Sequence, residues 1–208
     1  VNQPNVQELA KQLAAQTKAE QLNRLKKEVY SWNEWRTLNQ NIGIDLVGVK
    51  LVGAKLLGLD FAEADLREAD LSKADLSGAS FVNSYLIGTK LNGADLTGTD
   101  FRGAELSLAH MQDADLRGAD LRGANLTGAD LRGADLRGAD FSLADLSMAD
   151  LSMADLRGAD MGETRLSGAN LSRVSAAQTI FCDNLGLSDD LKSSLAEQGA
   201  IFTDSLEM

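Results

Sequence analysis

The sequence predicts an all-β solenoid, a chain of short extended segments wound about one apolar core. Three observations carry that reading. A large apolar residue recurs at every fifth position from Leu46 to Leu171, twenty-six times without insertion or deletion: Leu in twenty units, Phe61, Phe81, Phe101 and Phe141 in four, Met111 and Met161 in two. A small residue, Ala in nineteen of the twenty-six, stands two positions earlier. The unit usually closes with Gly, as in Ala134-Asp135-Leu136-Arg137-Gly138.

A period of five matches neither the helical repeat near 3.6 nor the strand repeat of 2. A short extended stretch followed by a turn does match it. In the extended part, positions i−2 and i point to the same side, so Ala and Leu face inward while the residue between them, Asp in sixteen units, faces out. The closing Gly supplies a turn position with φ > 0.

These A-D-L-R-G and A-D-L-S-x units, over roughly residues 41–173, resemble the pentapeptide repeat family. The resemblance implies a right-handed quadrilateral parallel β-helix with four pentapeptides per coil, hence about 6.5 coils from twenty-six units. The sequence offers its own check on four: Phe61, Phe81, Phe101 and Phe141 are separated by multiples of twenty, and Met161 and Phe181 continue the register, so a four-sided coil stacks them in one interior column. At about 4.8 Å between stacked strands the rod is roughly 31 Å long. Contacts run between neighbouring coils, so stability accumulates along one dimension and both ends need covering.

The expected organisation is an N-terminal helical cap over 1–40, the β-helix over 41–182 and a C-terminal capping helix and tail over 183–208. Val6, Leu9, Ala10, Leu13 and Ala14 follow helical spacing, as do Leu22, Leu25, Val29 and Trp32, and Asn5 with Glu8 and Thr17 with Glu20 resemble capping boxes. Helices are expected over about 5–15 and 17–39. Val47, Val52 and Leu57 hold outward positions where later units carry Arg, Ser or Thr, and this strip is expected to receive the helix. At the far end a helix is expected from Ser188, its N-cap, to Gln198, with Asp189 and Asp190 in the first turn and Gly199 as its stop. Ala200, Ile201 and Phe202 are expected to fold back on the last coil; the resemblance implies a homodimer as one expected assembly, since in some relatives the corresponding end forms a dimer.

No run of eighteen apolar residues and no signal peptide is visible in the sequence, so no membrane span is expected and a cytoplasmic location is. The one cysteine, Cys182, excludes an intrachain disulfide and reads as a small apolar residue, since no histidine is placed to activate it. His110, the one histidine, takes an outward position usually held by Asp and reads as a surface substitution. The recurring Asp reads as a turn cap for local N–H groups, not as paired catalytic carboxylates or metal ligands. No catalytic residue, cofactor or metal is expected.

What remains is surface. Arg117, Arg137 and Arg157 repeat at twenty beside Asp95, Asp115, Asp135 and Asp155, which points to charge pairs along the rod. Leu143, Met148 and Met153 occupy three successive turn positions, and Leu108 shares the column of Met148. These four form the candidate interaction patch, with Met suited to adaptable contacts. The leading functional expectation is a non-enzymatic structural or protein-interaction rod whose protein partner is unidentified. The resemblance implies an alternative, because some family members are acidic rods that mimic B-form DNA and bind a type II topoisomerase, DNA gyrase. The net charge of −11 invites this reading. Yet residues 41–173 carry twenty-one Asp and Glu against thirteen Lys and Arg, a net of −8, about one charge per 4 Å of rod against one per about 1.7 Å in duplex DNA. Direct nucleic-acid binding is not expected of an acidic rod without a basic patch.

Overall fold

Every five-residue unit makes the same turn. In the computed structural model, which describes residues 17–26 and 31–203, the N–H three residues after each apolar centre from Leu46 to Leu166 returns to the centre's own carbonyl, as from Val49 to Leu46 at 3.2 Å and from Ala79 to Leu76 at 2.9 Å. The second turn residue has positive φ throughout, the signature of a type II turn. Glycine fills it at fifteen of the twenty-six units; Glu, Lys, Asn, Leu, Asp, Met or Arg fills the other eleven, with φ of 53–64°. Glycine is therefore preferred at this corner without being required by it.

Between turns the chain pairs in parallel with the chain twenty residues on. Leu46 N–H donates to Asp65 O at 2.8 Å, Gly48 N–H to Arg67 O at 2.8 Å, and Asp65 N–H back to Ile44 O at 2.9 Å. The bridge between Asp45 and Asp65 is the first of an unbroken series at that separation, ending at Arg165 and Leu185. Four units thus close one coil of a parallel β-helix, and the coils stack.

The interior holds the apolar centres and the small residues before them. Leu66, Leu96, Leu126 and their equivalents are fully buried. Where Thr or Ser replaces Ala, its buried hydroxyl donates to a carbonyl, as Thr89 to Leu66 O at 2.8 Å, Thr99 to Leu76 O at 3.0 Å and Ser84 to Phe81 O at 2.7 Å, which satisfies the polar group inside the core. Phe61, Phe81 and Phe101 stack with ring centroids 5.1 Å apart and planes 13° and 11° from parallel. Trp32 continues the column at 5.7 Å from Phe61.

Both ends of the coil stack are covered. Residues 17–26 are helical (α1), and α2 runs Trp32–Leu38 after Ser31; the expected helix over 5–15 lies outside the described residues. The helices do not settle along the whole outward strip as the sequence suggested: Val47 is half-buried, but Val52 and Leu57 remain 56% and 62% exposed. They dock instead on the end of the first coil, where backbone groups have no preceding coil to pair with and buried polar groups must find partners. Lys18 Nζ donates to Val47 O at 2.7 Å, Trp32 Nε1 to Asp60 O at 2.7 Å and Arg36 Nη2 to Ala62 O at 2.8 Å. Asn33 donates to Gly58 O and accepts from Asp60 N–H, each at 2.8 Å.

At the other end, β1 (Ile180–Cys182) pairs in parallel with β2 (Ile201–Thr203), and Phe202 stacks on Phe181 at 5.1 Å. Between them α3 (Asp189–Glu197) starts at Ser188, whose Oγ accepts from Leu191 N–H at 3.3 Å, and buries Leu195 against the core.

Candidate interaction surface

The outward Asp side chains are occupied by the fold. In all sixteen units that carry it, Asp Oδ1 accepts the backbone N–H two residues later, at 2.9–3.3 Å. This ties down the donor that enters the turn. Where Arg follows, its guanidinium forks onto the same carboxylate: Arg117 Nε reaches Asp115 Oδ1 at 2.8 Å and its Nη2 reaches Oδ2 at 2.7 Å. The same fork joins Arg67 to Asp65, Arg102 to Asp100, Arg122 to Asp120, Arg132 to Asp130, Arg137 to Asp135 and Arg157 to Asp155. The pairing along the rod that the sequence suggested is present but longer, with Arg117 to Asp135 at 3.7 Å and Arg137 to Asp155 at 3.8 Å. The within-unit fork, which column spacing does not reveal, is the tighter interaction. Side-chain hydrogen bonds from Arg117 and Arg137 are the leading cause that holds the Asp115 and Asp135 carboxyls below their ordinary values.

The two groups weighed for chemistry are set apart. His110 is exposed on a rung between Lys90 and Asp130, and Cys182 is buried in β1. Among the described residues no three His, Cys, Asp or Glu side chains converge as a metal group, and no helix is long and apolar enough to cross a membrane. A cleft of about 690 Å³ lies at the C-terminal end, lined by Phe181, Leu187, Ala196 and Phe202 with Asp183 and Lys192.

The four apolar turn residues are all exposed and all at positive φ. They do not form one patch. Leu143, Met148 and Met153 stand on three successive corners of a coil and so face three directions, whereas Leu108 and Met148, 61% and 69% exposed, share one corner two rungs apart. That corner has a repeating profile: Gly88, Leu108, Gly128, Met148, Gly168. Leu108 leans over Gly128, where an added Cβ would lie 3.0 Å from its Cδ2, and Met148 leans over Gly168, where an added Cβ would lie 2.5 Å from its sulfur. The outward column beside it reads Ile87, Ser107, Thr127, Ser147, Ser167.

These two columns hold no charged residue over five rungs. Over the same height the other three corner strips carry Arg102, Arg122 and Glu163; Asp113, Arg132 and Arg173; and Arg117, Arg137 and Arg157. Tyr85 and Ile87, both exposed, extend the apolar surface at the strip's lower end. Sequence reading passed over these two. The available signal was the departure from pattern at Ser84-Tyr85-Leu86-Ile87, where Ala-Asp-Leu-Arg is the usual run.

Comparison with known proteins agrees with this geometry. The description Pentapeptide repeats matches in eight copies over residues 44–83, 79–118, 109–147 and 149–183, most of the chain. The chain belongs to the pentapeptide repeat family. Among solved structures, a trypsin-treated form of QnrB1, a plasmid-mediated fluoroquinolone resistance protein, is similar with 24% identity and a TM-score of 0.64 over 77% of this chain and 90% of that one. A second trypsin-treated form gives 23% and 0.56 over 75% and 95%. A pentapeptide repeat protein of Nostoc PCC 7120 is 40% identical over 50% of this chain and 84% of its own, with a TM-score of 0.46. The likeness to QnrB1 is one of fold. No curated protein gives a match. As a pentapeptide repeat protein, the chain presents a surface of repeating corners and outward columns.

Proposed function

We propose that this pentapeptide repeat protein is a non-enzymatic interaction module, a right-handed rod of about 6.5 coils, from twenty-six units, that presents its corners to protein partners. The observation that carries this reading is the use of the outward carboxylates: all sixteen Asp side chains cap their own turns, and seven of them are forked by Arg. Exposed among these capped turns are the apolar corner residues Leu108, Leu143, Met148 and Met153. Grouped apolar side chains mark contact sites where scattered ones do not, and Leu108 and Met148 share one corner. The test is cross-linking and affinity purification in the native cell with wild-type protein and a variant carrying Ser at all four positions. A partner retained by the first and lost by the second supports the reading; identical recovery by both removes it.

The acidic rod supplies a second reading, mimicry of duplex DNA toward DNA gyrase, favoured by the net charge of −11. The Arg forks count against it, since each neutralises a carboxylate at the surface. Gyrase supercoiling with purified protein decides: inhibition supports mimicry, and full activity at high micromolar protein excludes it.

A further inference from the structure

We propose that Met148 and Met153 are oxidation sites, at which a hydroperoxide turns two apolar corners of one coil polar while the fold stays intact. This chemistry belongs to two sulfur atoms and requires no partner at the corners. The methionines of the coil stack are of two kinds. Met111 and Met161 fill apolar centres and are fully buried, whereas Met148 and Met153 stand on turns and are 69% and 58% exposed. Peroxide reaches only the second kind from solvent. A sulfur lone pair attacks one peroxide oxygen, and the S–O bond forms as the O–O bond breaks. The hydrogen of the attacked oxygen passes to the departing one, which leaves as water. Sulfur gives up two electrons and the peroxide takes them. The sulfoxide that results is polar and chiral where the thioether was apolar.

These corners already accept polar groups. Glu63, Lys73, Asn83, Asp113 and Glu163 occupy equivalent turn positions with φ of 53–60°, close to the 62° and 63° of Met148 and Met153. The seat of the Met148 sulfur is one that oxygen takes elsewhere: an added Cβ at Gly168 would lie 2.5 Å from that sulfur, and one at Gly103 or Gly133 would lie 2.5 Å from Asn83 Oδ1 or Asp113 Oδ1. Both turns are held by bonds that the sulfurs do not enter. Met148 N–H donates to Ser167 O at 2.9 Å and Met153 N–H to Ser172 O at 3.0 Å, while Asp145 and Asp150 accept the N–H of Ser147 and Ser152, each at 2.9 Å. Oxygen added at either corner leaves this ladder and these caps in place. At Met111 or Met161 the same oxygen would be a buried acceptor among apolar side chains, which is costly. The step is reversible: methionine sulfoxide reductases return the thioether, the sulfoxide oxygen leaving as water while two thiols become a disulfide.

Treatment of the full chain with hydrogen peroxide, followed by peptide mass spectrometry, is the matching experiment. Sulfoxide is expected to form at Met148 and Met153 about a hundredfold faster or more than at Met111 and Met161, which peroxide meets only when the coil opens. With both corners converted, the denaturant midpoint is expected to be unchanged and retention on a hydrophobic-interaction column to fall. Reductases for the two sulfoxide epimers, supplied with a dithiol, are expected to restore the retention. The double variant Met148→Leu, Met153→Leu keeps every other methionine and keeps the corners apolar, since Leu108 and Leu143 hold equivalent turns with φ of 57° and 64°. Its retention is expected not to change with peroxide. Equal oxidation rates at corner and core sulfurs, a fall in stability as Met148 and Met153 convert, or a loss of retention that the double variant repeats overturns the proposal.

Discussion

The side-chain amide of Gln21 takes the place of a strand at Asp45. Its Nε2 donates to Gly43 O at 2.8 Å and its Oε1 accepts Asp45 N–H at 3.0 Å, while Asp45 bridges Asp65 on its other side. Asn33 repeats the device at Gly58 and Asp60, so two side-chain amides from the helical layer reproduce the donor and acceptor that a preceding coil would offer. Gln21 is buried, and its truncation strands a donor and an acceptor where water has poor access. Gln21→Ala is therefore expected to cost about 1–3 kcal/mol. Because contacts in a solenoid run between neighbours, the loss is expected to be local. Hydrogen exchange should accelerate at Asp45 and Leu46 and stay slow around Leu131, and equal acceleration at both places would show that the amide does not act as an edge cap.

Corner glycines share one conformation but differ in what stands over them, which predicts an order of tolerance. Gly158 has φ of +68° and open space beyond its Cα, so Gly158→Ala meets only the left-handed backbone penalty, about 1–2 kcal/mol. Gly168, with φ of +71°, lies under the Met148 sulfur, 2.5 Å from the Cβ an alanine would add. Gly168→Ala must in addition displace a flexible side chain, and the extra cost is expected to vanish when Met148 is also changed to Ala. Gly186, which follows the repeats, lies off the corner register and has φ of +96°, faces the backbone of Leu166 and Ser167, 2.5–2.8 Å from an added Cβ, and backbone cannot swing aside. Denaturant midpoints are expected to fall in the order Gly158→Ala, Gly168→Ala, Gly186→Ala, the last lowest. A Gly168→Ala midpoint equal to that of Gly158→Ala would mean that the Met148 contact carries no energy.

The coil was legible in the sequence because one five-residue pattern states it many times. Inward Leu46, Leu51 and Leu56 each need the same extended segment and turn, and the twenty-residue spacing of Phe61, Phe81 and Phe101 names the number of sides before any bridge is seen. Ser188 was readable as an N-cap for the same reason, since a local hydrogen bond leaves a local signature. The seat of the N-terminal helices was not readable. Apolar Val52 and Leu57 suggested a lateral contact, but the stronger requirement came from backbone groups at the open end of the first coil, which carry no side-chain signal. The exposed apolar corners were legible in part. Leu108 and Met148 stood out as apolar residues at turn positions, but only the register assigns Leu143 and Met153 to different corners, and only the comparison of whole columns shows which adjacent pair carries no charged residue.

The Asp–Arg forks make stability depend on acid in a definite direction. Asp65, Asp100, Asp115, Asp120, Asp130, Asp135 and Asp155 all have carboxyls lowered from the ordinary value, first through side-chain hydrogen bonds from the Arg two residues on and against opposing desolvation. A carboxyl that is more acidic in the folded chain binds fewer protons there than in the unfolded chain, so stability rises with pH across the interval between the two values. The contribution is complete above the unfolded value, about 3.9, and disappears as pH falls through the folded values below it. Denaturant midpoints are thus expected to be level from neutrality down to about pH 5 and to drop steeply below about pH 4. Removing the donors shifts the folded carboxyls back toward their ordinary value: the triple variant Arg117→Gln, Arg137→Gln, Arg157→Gln is expected to be less stable than wild type at pH 7 and to show a shallower acid decline. Its backbone caps from Asp115, Asp135 and Asp155 to the N–H two residues on remain in place, so some acid sensitivity persists. An acid profile for the variant that runs parallel to wild type would show that the guanidinium forks do not set the carboxyl acidity.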